Sequence, residues 1–95
     1  MAALLVLPAE LTHDQAVPCC RMLAQTLRSD PGGEAVADAS ALQHFDSSAL
    51  AVLLDCRREA LAMGKTFAVT GLPPRLGELA GLYGVADLLP AAAPG

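Results

Sequence analysis

Basic residues are scarce in this sequence, and their scarcity excludes one broad class of partner. Only six of the 95 residues are Lys or Arg, against ten Asp or Glu, and the net charge is −4. Binding to nucleic acid or to an anionic membrane surface relies on clustered Lys and Arg. The sequence therefore predicts no nucleic-acid partner and favours another protein as the partner.

Long apolar runs and a basic leader are also missing. No run approaches the roughly 18 apolar residues that a transmembrane helix needs. The apolar start, Met1–Pro8, carries no basic residue and is too short for a signal peptide. We therefore expect a cytoplasmic protein.

With 54% apolar residues the chain can form one small core, so we expect a single domain over residues 1–90 and a disordered tail over 91–95.

The sequence has too few suitable cysteines and histidines for a disulfide framework or a zinc site. Its three cysteines, Cys19, Cys20 and Cys56, form no Cys-x-x-Cys pair, and two of them adjoin. Adjacent cysteines disfavour an ordinary disulfide. With only His13 and His44 in addition, four plausible zinc ligands are lacking. We expect reduced cysteines that pack in the core, and no metal.

Catalytic signatures are absent as well. The chain has no Gly-x-Ser-x-Gly elbow, no Gly-x-x-x-x-Gly-Lys phosphate loop and no Gly-x-Gly-x-x-Gly turn. Ser47, His44 and Asp38 can be written as a Ser/His/Asp set, but the sequence offers them no evident oxyanion hole. We therefore expect no enzyme activity and no cofactor.

Apolar periodicity predicts that strands and helices alternate along the chain. Ala3–Leu7 is a short apolar run typical of a buried or edge strand. Thr12 and Gln15 have the spacing of a capping box, and they begin a helix whose apolar face consists of Ala16, Cys19, Cys20, Leu23 and Leu27. Proline interrupts a helix interior, so Pro18 leaves two possibilities: the helix kinks there, or it begins near Val17.

The second half of the chain continues the alternation after a loop at residues 28–33. Glu34–Asp38 is predicted as the central strand, with side chains small enough to lie under helices on both faces. A helix over residues 49–63 stops at Gly64, and a strand follows over residues 65–70. Pro73 and Pro74 begin a last helix, whose apolar face is predicted to contain Leu76, Leu79, Leu82 and Tyr83.

After this helix, residues 85–89 are expected to pack against the sheet. Asp38 falls at the carboxyl end of the central strand, where sites gather in α/β folds, although a lone Asp there is equally typical of a turn. The pattern as a whole predicts an α/β fold in a single domain, with a small mixed or parallel sheet and helices packed on it.

Two hydroxyls and a carboxylate stand at the predicted start of the second helix. The first turn of a helix leaves N–H groups unpaired and carries partial positive charge, so an anion is favoured there. Asp46 or Ser47 can accept from these N–H groups as the N-cap, which leaves the other hydroxyls, including Ser48, free for solvent, a partner or a kinase. The simpler interpretation is that all three residues only cap the helix.

The chain resembles the STAS family of regulatory domains, which takes its name from sulfate transporters and anti-sigma factor antagonists. The resemblance covers roughly residues 4 to 89. It is carried by the family's Asp-Ser-Ser motif and by a Gly-Lys-Thr-Phe-Ala-Val-Thr-Gly-Leu-Pro stretch at residues 64–73. The positions that match around the motif are Asp38, Phe45, Asp46, Ser47, Ser48 and Leu50. Ala49 stands where Gly is usual in the family, which favours the helix and slightly narrows access to Ser47.

The resemblance implies two possible functions that use the same surface. The preferred one is the small STAS subunit of a Mla-type ABC complex for phospholipid transport, which docks on the ATPase and is peripheral to the inner membrane only through that partner. The alternative is an anti-sigma factor antagonist, in which a partner kinase phosphorylates Ser47. In both, the resemblance implies partner contacts by Phe45, Asp46, Ser47, Ser48 and Leu50.

Overall fold

A three-stranded parallel sheet forms the centre of the protein. The computed structural model describes residues 2–92. Strands β1 (Ala2–Val6), β3 (Glu34–Asp38) and β5 (Thr66–Thr70) pair in the order β1-β3-β5, so β3 is central, as predicted. A second parallel pair joins β2 (Glu10–Leu11) to β4 (His44–Phe45). The sequence left the sheet mixed or parallel, and every described strand pair is parallel.

Helices α1 (His13–Ser29) and α2 (Ser48–Ala62) pack against each other and cover one face of the sheet. Along β1, Ala3 and Leu5 are buried, whereas Leu4 and Val6 remain 54% and 51% exposed. Burial alternates in the same way along β3 and β5, as expected when helices cover only one face of a pleated sheet. The prediction that helices cover β3 on both faces is therefore wrong.

Helix α1 begins where the predicted capping box places it. The side-chain oxygen of Gln15 accepts a hydrogen bond from the Thr12 N–H at 2.8 Å, and the helix runs from His13 through Pro18. The alternative start near Val17 is therefore wrong. Pro18 has no N–H, so it leaves the carbonyl of Asp14 without its usual i+4 donor. The predicted face is confirmed, with Cys19, Leu23 and Leu27 buried and Ala16 and Cys20 packed against the core.

Helix α2 ends at a glycine, and the following lysine is buried. Gly64 adopts a φ of 75°, the left-handed conformation that favours glycine after a helix. Lys65 is only 6% exposed, and its ammonium group donates to the carbonyl of Asp30 at 2.7 Å and to that of Gly32. The lysine thereby ties the end of α1 to the start of β5, because both carbonyls lie in the loop that follows α1.

Helix α3 (Pro74–Leu82) packs against α2 and a short 3₁₀ helix, η1 (Ala86–Leu88). It begins at Pro74, as predicted, but its buried residues are Leu76 and Ala80. Leu82 and Tyr83 are 83% and 61% exposed, so the prediction that they belong to the apolar face of the helix is wrong at these two positions. They lie at the carboxyl end of α3, where Leu82 is the last helical residue and Tyr83 is the C-cap.

The chain after η1 packs against the sheet, which confirms at Leu89 the packing predicted for residues 85–89. Leu89 is 7% exposed, and the chain then runs beside β5. The Val69 N–H donates to the Pro90 carbonyl, and the Ala92 N–H donates to the Val69 carbonyl, each at 2.8 Å. Ala92 is therefore part of the sheet edge, where the sequence predicted a disordered tail. Residues 93–95 of that prediction lie outside the described residues.

A tight turn closes the carboxyl end of the central strands. The Asp38 carboxylate accepts from the Ser40 N–H at 3.0 Å and from its hydroxyl at 2.6 Å. Gly71 packs on this turn with a φ of 67°, and a Cβ there would lie 2.6 Å from the Ser40 Cβ. Asp38 is therefore a turn residue, and close packing requires a glycine at position 71. None of the helices within residues 2–92 has the length and apolar character to span a membrane.

Candidate functional site at the start of helix α2

The carboxylate of Asp46 joins the amino ends of two helices. One oxygen accepts from the Ser48 N–H at 2.8 Å, in the first turn of α2. The other oxygen accepts from the His13 N–H at 3.1 Å, in the first turn of α1. The Ser48 N–H is the main reason that the pKa of Asp46 lies below its usual value, with further contributions from the Ser48 hydroxyl and from His13.

The first-turn N–H groups of α2 are already bonded within the chain. Ser48 donates to the Asp46 carboxylate, Ala49 to the Asp46 carbonyl and Leu50 to the Ser47 carbonyl. The anion that the helix start favours is therefore supplied by Asp46 itself. Of the two N-cap candidates that the sequence left open, Asp46 does the capping, and no side-chain cap bond forms at Ser47.

The Ser47 side chain faces solvent in front of this capped helix. Ser47 is exposed and Ser48 half-buried, and within residues 2–92 the Ser47 hydroxyl has no hydrogen-bond partner in the chain. Because Asp46 satisfies the helix start, the Ser47 hydroxyl is available to another molecule. We call Phe45, Asp46, Ser47 and Ser48 the α2 entrance.

The two apolar residues predicted for the site, Phe45 and Leu50, differ in how deeply they are buried. Phe45 is half-buried in β4 and packs on the edge of the core. Leu50 is 3% exposed and belongs to the core. Leu50 therefore supports the α2 entrance from beneath and offers no surface of its own to a partner.

Helix α3 supplies a second wall beside the α2 entrance. A cavity of about 220 Å³ lies between them, lined by Phe45, Asp46, Arg75, Glu78, Leu79 and Leu82. The Arg75 guanidinium lies 5.6 Å from the centre of the Phe45 ring, a cation–π distance. Sequence reasoning missed Arg75 and Glu78. A signal was present, because Arg75, Leu79 and Leu82 recur at helical spacing and so share one face of α3.

The residues of the hypothetical catalytic set are not brought together. Asp38 bonds to Ser40, and these two bonds hold the pKa of its carboxyl below the usual value. His44 is exposed on β4. Among the described residues no hydrogen bond links Ser47, His44 and Asp38.

The cysteines lie between α1 and α2, away from the α2 entrance. Burial raises the pKa of Cys56 to about 12 and that of Cys20 to about 11, the latter with help from Asp55, and it also raises the pKa of Cys19. All three thiols are free. Within residues 2–92, no three His, Cys, Asp or Glu side chains are grouped so that they could hold a metal ion.

Fold and site together define a small α/β domain that displays the start of its second helix. The chain belongs to the STAS domain family, since the family model described as "Mlab, STAS domain" matches residues 2–90. The resemblance noted in the sequence is thereby confirmed at the level of the family. No match was found among curated proteins.

Two solved structures share the fold. The anti-sigma factor antagonist SpoIIAA in its unphosphorylated form matches with a TM-score of 0.74 and 16% sequence identity, over 97% of this chain and 80% of that chain. A putative anti-sigma factor antagonist from Thermotoga maritima matches with a TM-score of 0.76 and 16% identity, over 95% of this chain and 80% of that one. At this identity the likeness establishes the fold alone.

Proposed function

We propose that this protein is a non-catalytic, cytoplasmic STAS subunit that binds the ATPase of a bacterial ABC transporter and supports phospholipid trafficking and outer-membrane lipid asymmetry. The contact is made through the α2 entrance. The observation that carries the proposal is the exposed Ser47 hydroxyl in front of a helix start that Asp46 already satisfies. A surface of this kind suits recognition by a partner better than capture of a free anion.

The neighbouring part of α3 enlarges this surface. Leu82 and Tyr83 are exposed, and the cavity beside Phe45 is large enough for roughly one partner side chain. Apolar side chains surrounded by hydroxyl and charged groups are typical of the central part of a protein interface. Arg75 and Glu78 then supply charged groups at its rim.

The family model's description, "Mlab, STAS domain", supports the transporter hypothesis. By that resemblance the partner is an ATPase subunit, and the protein reaches the inner membrane only through it. The absence of clustered Lys and Arg in the sequence agrees with a protein partner.

A Ser47→Glu variant tests the proposed contact. We expect it to weaken binding to the ATPase subunit of a Mla-type transporter from the same organism by on the order of 1 to 3 kcal/mol, because an ill-matched charge is buried next to Asp46. Isothermal titration calorimetry with the two purified proteins measures the loss. Unchanged affinity would argue against Ser47 as an interface residue.

Thr26→Glu provides the matched control. Thr26 is also an exposed hydroxyl residue, but it lies in α1, 13 residues beyond His13 and so about 20 Å along the helix from the Asp46 contact. It adds the same charge to the chain. We expect full affinity for this variant, which separates an effect at the α2 entrance from an effect of net charge.

The alternative function is that of an anti-sigma factor antagonist switched by phosphorylation of Ser47. The exposed hydroxyl and the fold shared with SpoIIAA favour this alternative. It predicts that an anti-sigma factor kinase from the same organism adds one phosphate to the protein, and that Ser47→Ala abolishes the modification. Intact-mass spectrometry after incubation with the kinase and ATP decides the point, since a transporter subunit gains no mass.

A further inference from the structure

The two edges of the central sheet differ in whether another segment of the chain pairs with them. At the β5 edge, the chain returns after η1, and Pro90 and Ala92 take up the N–H and carbonyl groups of Val69. At the β1 edge, no segment within residues 2–92 pairs with the outer side of the strand. One edge is therefore closed by the protein's own chain, and the described part of the chain leaves the other open.

The direction of the peptide groups on β1 follows from its pairing with β3. The Leu7 N–H donates to the Asp38 carbonyl at 3.0 Å, and Leu5 is aligned with Ala37. Peptide groups alternate in direction along a strand, so the odd-numbered residues of β1 bond to β3. The N–H and carbonyl groups of Leu4 and Val6 point away from the sheet, where they can pair with another strand.

Strand β1 has none of the features that usually protect an edge. Its sequence, Ala-Ala-Leu-Leu-Val, contains no charged residue and no proline, and its register with β3 runs without a bulge. Leu4 and Val6 are 54% and 51% exposed on the open face of the sheet. Natural edge strands are commonly blunted by charge, proline or a bulge, so a bare apolar edge indicates a pairing site.

We propose that β1 is a self-association edge, at which a second copy of this chain pairs antiparallel and extends the sheet to six strands. The strand is complementary to itself, because it carries no charge that would repel its own copy, and antiparallel pairing of identical strands closes a two-fold dimer. A register centred on Leu4 uses the outward groups of residues 2, 4 and 6 on both chains. It also places the exposed Leu4 and Val6 side chains of both copies on one continuous face.

The interface is small, since each strand has five residues, so the dimer is weak and its population depends on concentration. The α2 entrance takes no part in it. Loss of the dimer and loss of ATPase binding are therefore separate outcomes.

Sedimentation velocity of the full chain over micromolar to millimolar concentrations tests the proposal. We expect a concentration-dependent monomer–dimer equilibrium that Leu4→Lys abolishes, because a charge on each copy would face its equivalent across the axis. Leu61→Lys is the matched control, since Leu61 is 47% exposed on α2. It should leave the equilibrium unchanged. A monomer at every concentration, or a dimer that survives Leu4→Lys, overturns the proposal.

The register has its own test in a Leu4→Cys variant. Residues opposite each other in a hydrogen-bonded antiparallel pair have Cα atoms about 5.5 Å apart, within the range of a disulfide. Mild oxidation should therefore link two chains through position 4, as identified by peptide mass mapping. Val6→Cys faces residue 2 of the other copy in this register and should link far less. Equal linking at the two positions, or none at position 4, overturns the register.

Discussion

At the residue scale, Asp46 determines what the α2 entrance can do. The sequence suggested that the start of α2 attracts an anion, and the protein provides its own in the Asp46 carboxylate. A bound phosphate would have to compete with that carboxylate for the same N–H groups. The exposed hydroxyl of Ser47 remains, and a hydroxyl can both donate to and accept from a partner.

Lys65 bonds to backbone carbonyls within the fold, and its contribution to stability can be measured. Its ammonium group bonds the carbonyls of Asp30 and Gly32 after the end of α1, where a cation is also favoured by the helix dipole. Lys65→Met keeps the apolar stem but removes the donor. We expect a loss of about 1 to 3 kcal/mol in the free energy of unfolding, measured by urea denaturation, because two half-buried carbonyls lose their partner.

Arg58→Met controls for the loss of a positive charge. Arg58 pairs with Asp55 at the surface of α2, and its side chain is 75% exposed. Exposed ion pairs contribute at most about 1 kcal/mol. If the two variants were equally stable, the proposed role of Lys65 would be contradicted.

At the element scale, helix α1 contains a residue that destabilises it. Pro18 is exposed and leaves the Asp14 carbonyl without its helical donor. Pro18→Ala restores that hydrogen bond, although the unfolded chain becomes more flexible. We expect a net gain of about 1 to 2 kcal/mol in unfolding free energy. An unchanged or lower urea midpoint would mean that the helix has adapted fully to the proline.

Local signals predicted the elements well, because each depends on residues close together in the chain. The capping box of Thr12 and Gln15, the stop at Gly64 and the start at Pro74 are all found where the sequence placed them. The sequence could not decide how α1 accommodates Pro18. The outcome depends on the free energy gained when the helix face with Leu23 and Leu27 packs against the rest of the fold, and local sequence does not reveal that energy.

The errors arose where distant parts of the chain decide the outcome. Small residues on β3 are compatible with one covered face or two, and the number of helices that reach the sheet is a property of the whole fold. The spacing of Leu82 and Tyr83 could not reveal that the end of α3 is exposed. The cavity beside Phe45 is lined by two separate segments, residues 45–46 and residues 75–82, so only the structure brings Arg75 to Phe45.

At the scale of the whole molecule, the proposed partner contact and the proposed dimer use different parts of the sheet. The α2 entrance lies at the carboxyl ends of the strands, where Asp46 ties α1 to α2. The β1 edge lies at the side of the sheet and leaves that region uncovered. A dimer formed through β1 would therefore present two α2 entrances at once, and a partner with two copies of its own site would gain in apparent affinity.

The stability of the whole molecule should depend on pH through Asp46. Its folded-state pKa is lowered, so its contribution is complete above the unfolded pKa of about 4 and is lost as the pH falls through the folded value. Asp46→Asn should therefore unfold more easily than the wild type at pH 7. We expect this gap in urea midpoint to shrink steadily below about pH 4, as protons neutralise Asp46 in the wild type.

Asp87→Asn separates this effect from a change in net charge. Asp87 is exposed in η1, and its carboxylate has no hydrogen-bond partner within residues 2–92. Removing its charge from an acidic chain changes the net charge as Asp46→Asn does, and it leaves the starts of α1 and α2 untouched. The difference in urea midpoint between Asp46→Asn and the wild type could instead stay constant from pH 7 to strongly acidic pH. That result would show that the Asn side chain fits the two helix starts poorly for steric reasons. A gap that closes on acidification would identify the charge of Asp46 as what holds α1 and α2 together.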